Sequence, residues 1–421
     1  MLNDINPNFF FHKLPSYLIV LIPFFLITGP FFSDLSLSIV AIIFIINSFK
    51  NNLIKYYNNF YFKFFVIFFL ILLISSILSN NVLVSLKTSF FYFRFGFFSL
   101  GFWYLIEKNN NILKHLFFSI LSCFFILIVD GYFQYISGKN FFGIELHNQY
   151  RVSSFFGKEL ILGSYLSRLF PILFGLFVFL DQIKKNKFML FIVTLVFILS
   201  EGLIFLSGER LALFFMNLSA IYIILMIKKY KIYRLITYIV SITLIIALLN
   251  LFPNAKNRLI DQTIYDFTRN SPDKFYIFSK PHTDMYITAY RIFLDNKFFG
   301  VGPRQYRNEC SKYPVSEYSC ETHPHNTYME IMSEVGILGF LMIAFLFLLI
   351  FFQSIKHLVY KIYKKKTLIS DFQICMYSSV LISLWPFSPS GSFFNNWMSI
   401  VYYFPVGIIL WNINLKKNNF L

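Results

Sequence analysis

Charged residues are scarce in this chain of 421 residues. Only 14% of the residues are Asp, Glu, Lys or Arg, whereas 57% are hydrophobic and the mean hydropathy is +0.63. A soluble globular domain has about 25% charged residues. The composition therefore excludes an ordinary soluble domain and predicts an all-α integral membrane protein.

Acidic residues are fewer than basic ones, 20 against 37, which gives a formal charge of +17. Such an excess can indicate nucleic acid, but membrane proteins collect Lys and Arg in their cytoplasmic loops. We therefore expect no nucleic-acid partner. The sequence also lacks a P-loop, an Asp-x-Asp pair, Cys-x-x-Cys and His-Glu-x-x-His. These absences predict a protein without a cofactor and without a metal site.

Long apolar runs are abundant, and twelve of them approach the length needed to cross about 30 Å of hydrocarbon. We place these runs at residues 16–32, 35–49, 64–79, 89–106, 116–137, 160–181, 188–207, 211–227, 235–253, 328–353, 373–390 and 396–412. The first run has no cleavage site behind it and reads as a retained span. The sequence thus predicts about twelve transmembrane helices, with spans 1–9 in residues 1–253 and spans 10–12 in residues 327–421.

The distribution of Lys and Arg predicts the orientation. With the N-terminus inside, the cytoplasmic segments carry 20 Lys and Arg, and the short outer loops carry five. Because positive residues are retained on the cytoplasmic side, both termini are expected there. Residues 254–326 then form one long outer loop, and the periodicity of DMYITAYRIFLDN predicts a short helix within it.

Only four cysteines are present. Cys310 and Cys320 lie in the long outer segment, and an oxidising compartment would allow them to form a disulfide. Two free thiols are the alternative. Cys123 and Cys375 lie in predicted spans and are expected to stay reduced.

The stretch ETHPHNTYMEIMSEVGILGF, residues 321–340, joins this segment to the next span. Thr327 followed by Glu330 predicts a capping box, so a helix should begin there. His325 and Asn326 would precede a helix N-terminus, which attracts anions and disfavours a protonated imidazole. A neutral histidine beside an anion site is suited to be a general base.

This stretch resembles the signature of the O-antigen ligases and related O-antigen polymerases, which are membrane proteins of the bacterial envelope. Their signature is His-Asn, nine residues, then Gly-x-x-Gly. Here His325 and Asn326 are followed by nine residues, Gly336 and Gly339, with Glu334 in the Glu-x-Gly position. The two glycines are expected to lie on one helix face and to allow close helix packing.

Three further stretches resemble the same family. FFGVGPRQYR, residues 298–307, is similar to its glycine-rich stretch, and SGERLA, residues 207–212, to its arginine motif. DGYFQYISGKNFFG with RVSSFFGKELILGSYL, within residues 130–166, is similar to its central outer loop. The resemblance covers residues 130–340, and the flanks match only in hydropathy.

The resemblance implies a reaction on the periplasmic face of the bacterial inner membrane. A glycan moves from an undecaprenyl diphosphate carrier to an acceptor hydroxyl. In ligases the acceptor is lipid A-core, and in polymerases it is another carrier-linked glycan. The complete His-Asn-x9-Gly-x-x-Gly spacing favours the ligase over the polymerase. A transporter or lipid flippase is the alternative from another class, and repeated halves with polar residues at the membrane midplane would distinguish it.

The resemblance also implies site residues. His325 is expected to be the catalytic base and Asn326 to position it. Arg210, in SGERLA, and Arg291, eleven residues before Gly302, are expected to bind the diphosphate, because guanidinium forks suit phosphate oxygens. Three weaker substrate-binding candidates, which could instead be a turn residue and solvated charges, are His323, Arg304 and Arg151.

Overall fold

The computed structural model describes residues 9–269 and 276–418, and within these ranges the chain is helical, with isolated β-bridges but no named strand. The helices are α1 (Leu14–Thr28), α2 (Pro30–Asn51), α3 (Phe60–Ile77), α4 (Val82–Phe90), α5 (Phe93–Lys108), α6 (Asn111–Ser137), α7 (Leu162–Ile183), α8 (Lys187–Ser207), α9 (Arg210–Met226), α10 (Lys231–Leu251), α11 (Pro253–Lys256), α12 (Gln262–Thr268), α13 (Lys280–Asp295), α14 (Tyr306–Glu309), α15 (Thr327–Tyr363), α16 (Asp371–Ser383) and α17 (Asn396–Asn418). Short 3₁₀ or π turns cover Phe9–Lys13, Ile54–Tyr56, Ser154–Phe156, Asn257–Asp261, Cys310–Lys312 and Glu317–Ser319.

Nine helices in the described ranges are long and apolar enough to cross a membrane: α1, α2, α3, α6, α7, α8, α10, α15 and α17. This confirms a helical membrane protein. The other three predicted spans fall on the shorter helices α5, α9 and α16. A helix rises about 1.5 Å per residue, so the 13 residues of α16 cover only about 20 Å. The count of twelve spans stays a prediction.

One large apolar core joins these helices. Helix α7 is the most deeply buried candidate span and packs against α6, α8, α9 and α16, whereas α10 is the least buried. Close packing around α7 requires small residues, since a Cβ at Gly175 would lie 2.6 Å from the Met376 side chain and 2.7 Å from that of Cys375. The core therefore fixes the ends of α7, α8 and α9, which carry part of the site.

Helix α15 is broken near its start, at Gly336, where φ is 77° and ψ is −168°. The glycine pair was predicted to share a regular helix face, and this is wrong for Gly336. A Cβ there would lie 2.3 Å from the Phe298 carbonyl oxygen, so the residue instead ends a short first helix against another backbone segment.

The segment between α10 and α15 has a small core of its own, formed by Ala289, Ile292, Val301, Tyr306 and Cys310. The helix predicted for DMYITAYRIFLDN is confirmed as part of α13. The disulfide predicted between Cys310 and Cys320 is present, while Cys123 and Cys375 are free and buried. This core and the disulfide hold the residues that lead to His325.

Candidate active site

The turn before α15 is anchored by Asn326. Its side-chain oxygen accepts hydrogen bonds from Tyr328 N at 2.9 Å and Met329 N at 3.1 Å, which makes Asn326 the N-cap. Its amide nitrogen donates to the Pro386 and Ser388 carbonyls, both at 3.0 Å. The cap thus ties the start of α15 to the chain that follows α16.

The predicted capping box is wrong by one residue, although α15 does begin at Thr327. The amide of Asn326 takes the capping role because it reaches two helix N–H groups. Glu330 is fully used elsewhere: it accepts from Ser392 Oγ at 2.6 Å and from Phe393 N at 2.7 Å. The carboxylate therefore joins α15 to the α16–α17 connection rather than closing the cap.

His325 occupies a left-handed backbone conformation, with φ of 51°. Such a conformation is uncommon outside glycine and needs support from neighbours. The His325 carbonyl supplies it by accepting hydrogen bonds from Ser390 N at 2.8 Å and Tyr286 OH at 3.3 Å. Among the described residues neither ring nitrogen of His325 has a hydrogen-bond partner, so the ring can accept a proton from a substrate.

Three histidine rings meet at this turn. The His325 ring lies 4.0 Å from the His323 ring and 5.9 Å from the His282 ring, measured between centroids. Nδ1 of His323 contacts Thr322 Oγ1 at 2.9 Å, and Nδ1 of His282 contacts Ser279 Oγ at 2.7 Å. His282 was not predicted, because no local motif surrounds it and its contact with His325 is long-range.

Burial keeps these rings neutral. It is the largest cause that lowers the pKa of His325 below the ordinary value of 6.5, and nearby Glu321 opposes it. Burial followed by the charge of His325 lowers the pKa of His323 to about 3 and that of His282 to about 4. The sequence predicted a neutral His325, and burial lowers the pKa of its ring in that direction.

Arg210 is the first residue of α9, close enough to His282 for its charge to act on that ring. Its Nη1 donates to Asp266 Oδ2 at 2.7 Å and to Thr263 Oγ1 at 3.2 Å, so it joins α9 to α12. The charges of Arg210 and Asp266 both act on the pKa of His282. The predicted arginine and the unpredicted histidine therefore belong to one site.

Two further arginines surround the turn between α8 and α9. Nε of Arg151, which is buried, donates to the Ser207 carbonyl at 2.7 Å. Burial, followed by the charge of Arg258, lowers the pKa of Arg151. A Cβ at Gly208 would lie 3.2 Å from Arg151 Nε and 3.4 Å from Arg258 Cγ. Arg151, Arg210 and Arg258 therefore concentrate positive charge at one end of α8 and α9, and Arg258 was not predicted.

Glu209, the residue directly before Arg210, binds the start of α7. Its carboxylate accepts from Gly163 N at 2.7 Å and Ser164 N at 3.0 Å, at the start of α7. The carboxyl oxygens thus satisfy free N–H groups at the start of one helix while Arg210 begins the next. The SGERLA stretch joins α7, α8, α9 and α12 at a single point.

Arg304 and Arg291 lie farther from the histidines. Arg304 Nη2 donates to the Phe394 carbonyl at 2.8 Å, and its backbone N–H donates to Glu334 Oε2 at 2.6 Å. Arg291 is exposed on α13 and donates to the Pro314 carbonyl at 3.1 Å. It lies nine residues after His282, and at 100° per residue this places the two on opposite faces of α13. The structure does not bring Arg291 and the histidines together.

The glycine-rich stretch and Glu334 form one interlocking unit. Glu334 Oε1 accepts from Tyr306 N at 2.8 Å, and its carbonyl accepts from Gly302 N at 2.8 Å. A Cβ at Gly300 would lie 2.3 Å from the Glu334 carbonyl carbon, so only glycine allows this approach. The unit fixes the start of α15, and with it the histidine turn.

A metal site does not form in the described part of the chain, where no group of His, Cys, Asp or Glu side chains could hold a metal ion.

Comparison with protein families gives a match for residues 193–344 to a family described as O-antigen ligase. No curated protein matches the chain at a significant level. The matched region includes Arg210, His282, His325 and the Glu334–Gly336 unit, and it confirms the predicted resemblance to the O-antigen ligase and polymerase superfamily over these residues.

Proposed function

We propose, from the premise that residues 193–344 belong to the O-antigen ligase family, that this membrane protein is a glycosyltransferase acting on the periplasmic face of the bacterial inner membrane. It moves a glycan from an undecaprenyl diphosphate carrier to an acceptor hydroxyl. The supporting observation is one geometry: His325, whose ring nitrogens have no hydrogen-bond partner among the described residues, packs against His282, and the charge of Arg210 reaches the His282 ring.

In this reaction His325 accepts the proton of the acceptor hydroxyl. The acceptor oxygen forms its bond to the anomeric carbon while the bond from that carbon to the diphosphate oxygen breaks. The electron pair leaves with the diphosphate, whose charge is held by arginines without a metal. Attack in one step inverts the anomeric centre, because no carboxylate is placed by motif to form a glycosyl-enzyme intermediate.

Arg210 is the first proposed ligand of the diphosphate. Its salt bridge to Asp266 is partly exposed, so a phosphate oxygen can compete for the guanidinium. Arg151 and Arg258 add charge from the neighbouring turn. Arg291, which the resemblance also implies as a ligand, is proposed to contribute little, because it is exposed and does not lie with the histidines.

The remaining candidates are proposed to support the turn and the acceptor. Asn326 holds the histidine turn through its N-cap and its bonds to the α16–α17 connection. His323 packs against the His325 ring and limits its rotation. Arg304 is proposed as a substrate-binding residue on the resemblance, and its side chain donates to the Phe394 carbonyl just before α17.

The ligase is the proposed form of the activity, and the polymerase is the alternative. A purified-protein assay with one defined undecaprenyl diphosphate glycan distinguishes them when lipid A-core and a second carrier-linked glycan are supplied separately. We expect the glycan on lipid A-core. Product on the carrier-linked acceptor alone would show a polymerase, and no product with either acceptor would contradict the proposed function.

A further inference from the structure

His282 is separated from His325 by 43 positions, yet their rings are edge to face at 5.9 Å with an interplanar angle of 82°. It lies in the first turn of α13, where Lys280 begins the helix. Two contacts restrict the ring: Ser279 Oγ meets Nδ1 at 2.7 Å, and the Tyr286 ring lies 6.2 Å away. These contacts therefore restrict the His282 ring at the place where α13 packs against the His325 turn.

Nδ1 of this ring contacts Ser279, and Nε2 has no hydrogen-bond partner among the described residues. A serine hydroxyl that donates to Nδ1 leaves the proton of a neutral imidazole on Nε2. His282 then offers one uncharged N–H donor next to the ring of the base, and the charge of Arg210 also reaches the His282 ring. An uncharged donor suits this place, because a fixed cation close to His325 would reduce the ability of His325 to take a proton.

We propose that His282 is a further substrate-binding residue, whose Nε2–H donates a hydrogen bond to the diphosphate of a prenyl-linked donor. It would hold the diphosphate oxygens between Arg210 and the His325 ring. This inference rests on the proposed function for its ligand, and it adds a residue that the resemblance does not name. The site then has two kinds of donor: a charged fork from Arg210 and a neutral N–H from His282.

A role as donor makes a prediction that a merely structural role does not. Glutamine places an N–H donor near the position of Nε2 but cannot titrate, so His282→Gln should bind as wild type does within about threefold. His282→Ala removes the donor and should weaken diphosphate binding about tenfold or more, since hydrogen bonds to charged groups are the stronger ones. His115 is exposed near the start of α6, and His115→Ala provides a matched control.

The test is the affinity of the purified full chain in detergent for farnesyl diphosphate, measured by calorimetry with farnesol as the uncharged probe. We expect the loss for His282→Ala with farnesyl diphosphate only, recovery in His282→Gln, and no change in His115→Ala. Equal affinity of wild type and His282→Ala would overturn the proposal. A loss that His282→Gln does not recover, with unchanged thermal stability, would overturn it too.

The binding test is separate from transfer. If wild type binds farnesyl diphosphate through His282 but transfers no glycan, the His282 site stands and the proposed transferase function fails. If wild type transfers glycan and His282→Ala does so with an unchanged KM for the donor, the function stands and the His282 proposal fails.

Discussion

His325 has a backbone conformation that a non-glycine residue adopts only when its surroundings hold it. Its φ of 51° is maintained by two donors to its carbonyl and by the cap at Asn326. Residues held this way occur often at functional sites. The cost of the conformation is borne by contacts from α13 and from the α16–α17 connection, so the orientation of the ring depends on parts of the chain far apart in sequence.

The first prediction concerns pH. Because the pKa of His325 is lowered from 6.5, the base stays neutral at pH 7 and loses activity only as the pH falls through that lowered value. Burial is the main cause of this shift and Glu321 opposes it, while the neighbouring His282 and His323 rings have pKa values of about 4 and about 3 and stay neutral in this range. We expect the acidic limb of kcat/KM for transfer below pH 6.5. An acidic limb above pH 6.5 would contradict a buried neutral base.

The second prediction separates two arginines that the resemblance treats alike. Arg210→Lys keeps the charge but loses the fork that reaches Asp266 and the substrate, so we expect a loss of about tenfold or more in kcat/KM. Arg291→Lys should change kcat/KM by less than about threefold, because Arg291 is exposed and its side chain hydrogen-bonds, among the described residues, to the Pro314 carbonyl alone. Steady-state kinetics on both variants provide the comparison. A larger loss of kcat/KM in Arg291→Lys than in Arg210→Lys would instead make Arg291 the more important of the two arginines.

The sequence identified the residues that a local motif carries and missed those that only folding brings together. His325 and Asn326 are adjacent and precede an apolar helix, so the pattern was readable. His282 and Arg258 have no such pattern, since each reaches the site across a turn of the tertiary structure. Arg291 was chosen by its spacing to Gly302, and spacing does not reveal which face of α13 a side chain occupies.

At the scale of the elements, the junction of α15 with the glycine-rich stretch determines where the histidine turn lies. Ile337 N donates to the Lys297 carbonyl at 2.8 Å, and Val301 N to the Ser333 carbonyl at 3.1 Å. These bonds run between the broken helix and the stretch before α14. The break at Gly336 therefore exposes backbone groups that pair with the other segment.

The third prediction tests this junction. Gly336→Ala adds a Cβ 2.3 Å from the Phe298 carbonyl oxygen at a φ of 77°, so both contact and conformation oppose it. Gly143→Ala is the matched control, because its φ is 80° and nothing lies within 4 Å of the added Cβ. We expect Gly336→Ala to lower the thermal midpoint of the purified protein by several degrees more than Gly143→Ala, and to reduce transfer. Similar midpoints would mean that conformation alone, not the junction, determines the cost.

The fourth prediction concerns the disulfide. Cys310 and Cys320 close a loop of eleven residues directly before the histidine turn, and such a loop contributes about 2–3 kcal/mol in the chain-entropy model. Mass spectrometry of non-reduced peptides should find the two joined, with Cys123 and Cys375 alkylated only after unfolding. Two alkylated loop cysteines in protein from intact cells would exclude the disulfide.

At the scale of the whole molecule, apolar runs predicted where helices lie but not how they end. Each of the twelve predicted spans overlaps a helix, because a long apolar run has few alternatives in lipid. The lengths of α5, α9 and α16 and the break at Gly336 depend on packing against neighbouring helices. Hydropathy averages over such contacts, so it could not supply them.

The fifth prediction is the orientation of the bundle. Lys297, in the segment between α10 and α15, and Lys365, after α15, are both exposed. If the lysine distribution determines orientation, a membrane-impermeant maleimide should label Lys297→Cys in spheroplasts and Lys365→Cys only after lysis. The four native cysteines provide little background, since two are bonded and two are buried. If only Lys365→Cys were labelled in spheroplasts, the bundle would have the opposite orientation, with the site on the cytoplasmic side.

The proposed role of His325 as general base of glycan transfer can be tested with purified His325→Ala. Its transfer rate is measured beside that of wild type, using one defined undecaprenyl diphosphate glycan, the acceptor that wild type uses, and EDTA without nucleotide. General-base catalysis contributes about 10²–10⁴-fold, so we expect a loss in that range with unchanged membrane insertion and thermal midpoint. Transfer by His325→Ala at near the wild-type rate would exclude His325 as the general base.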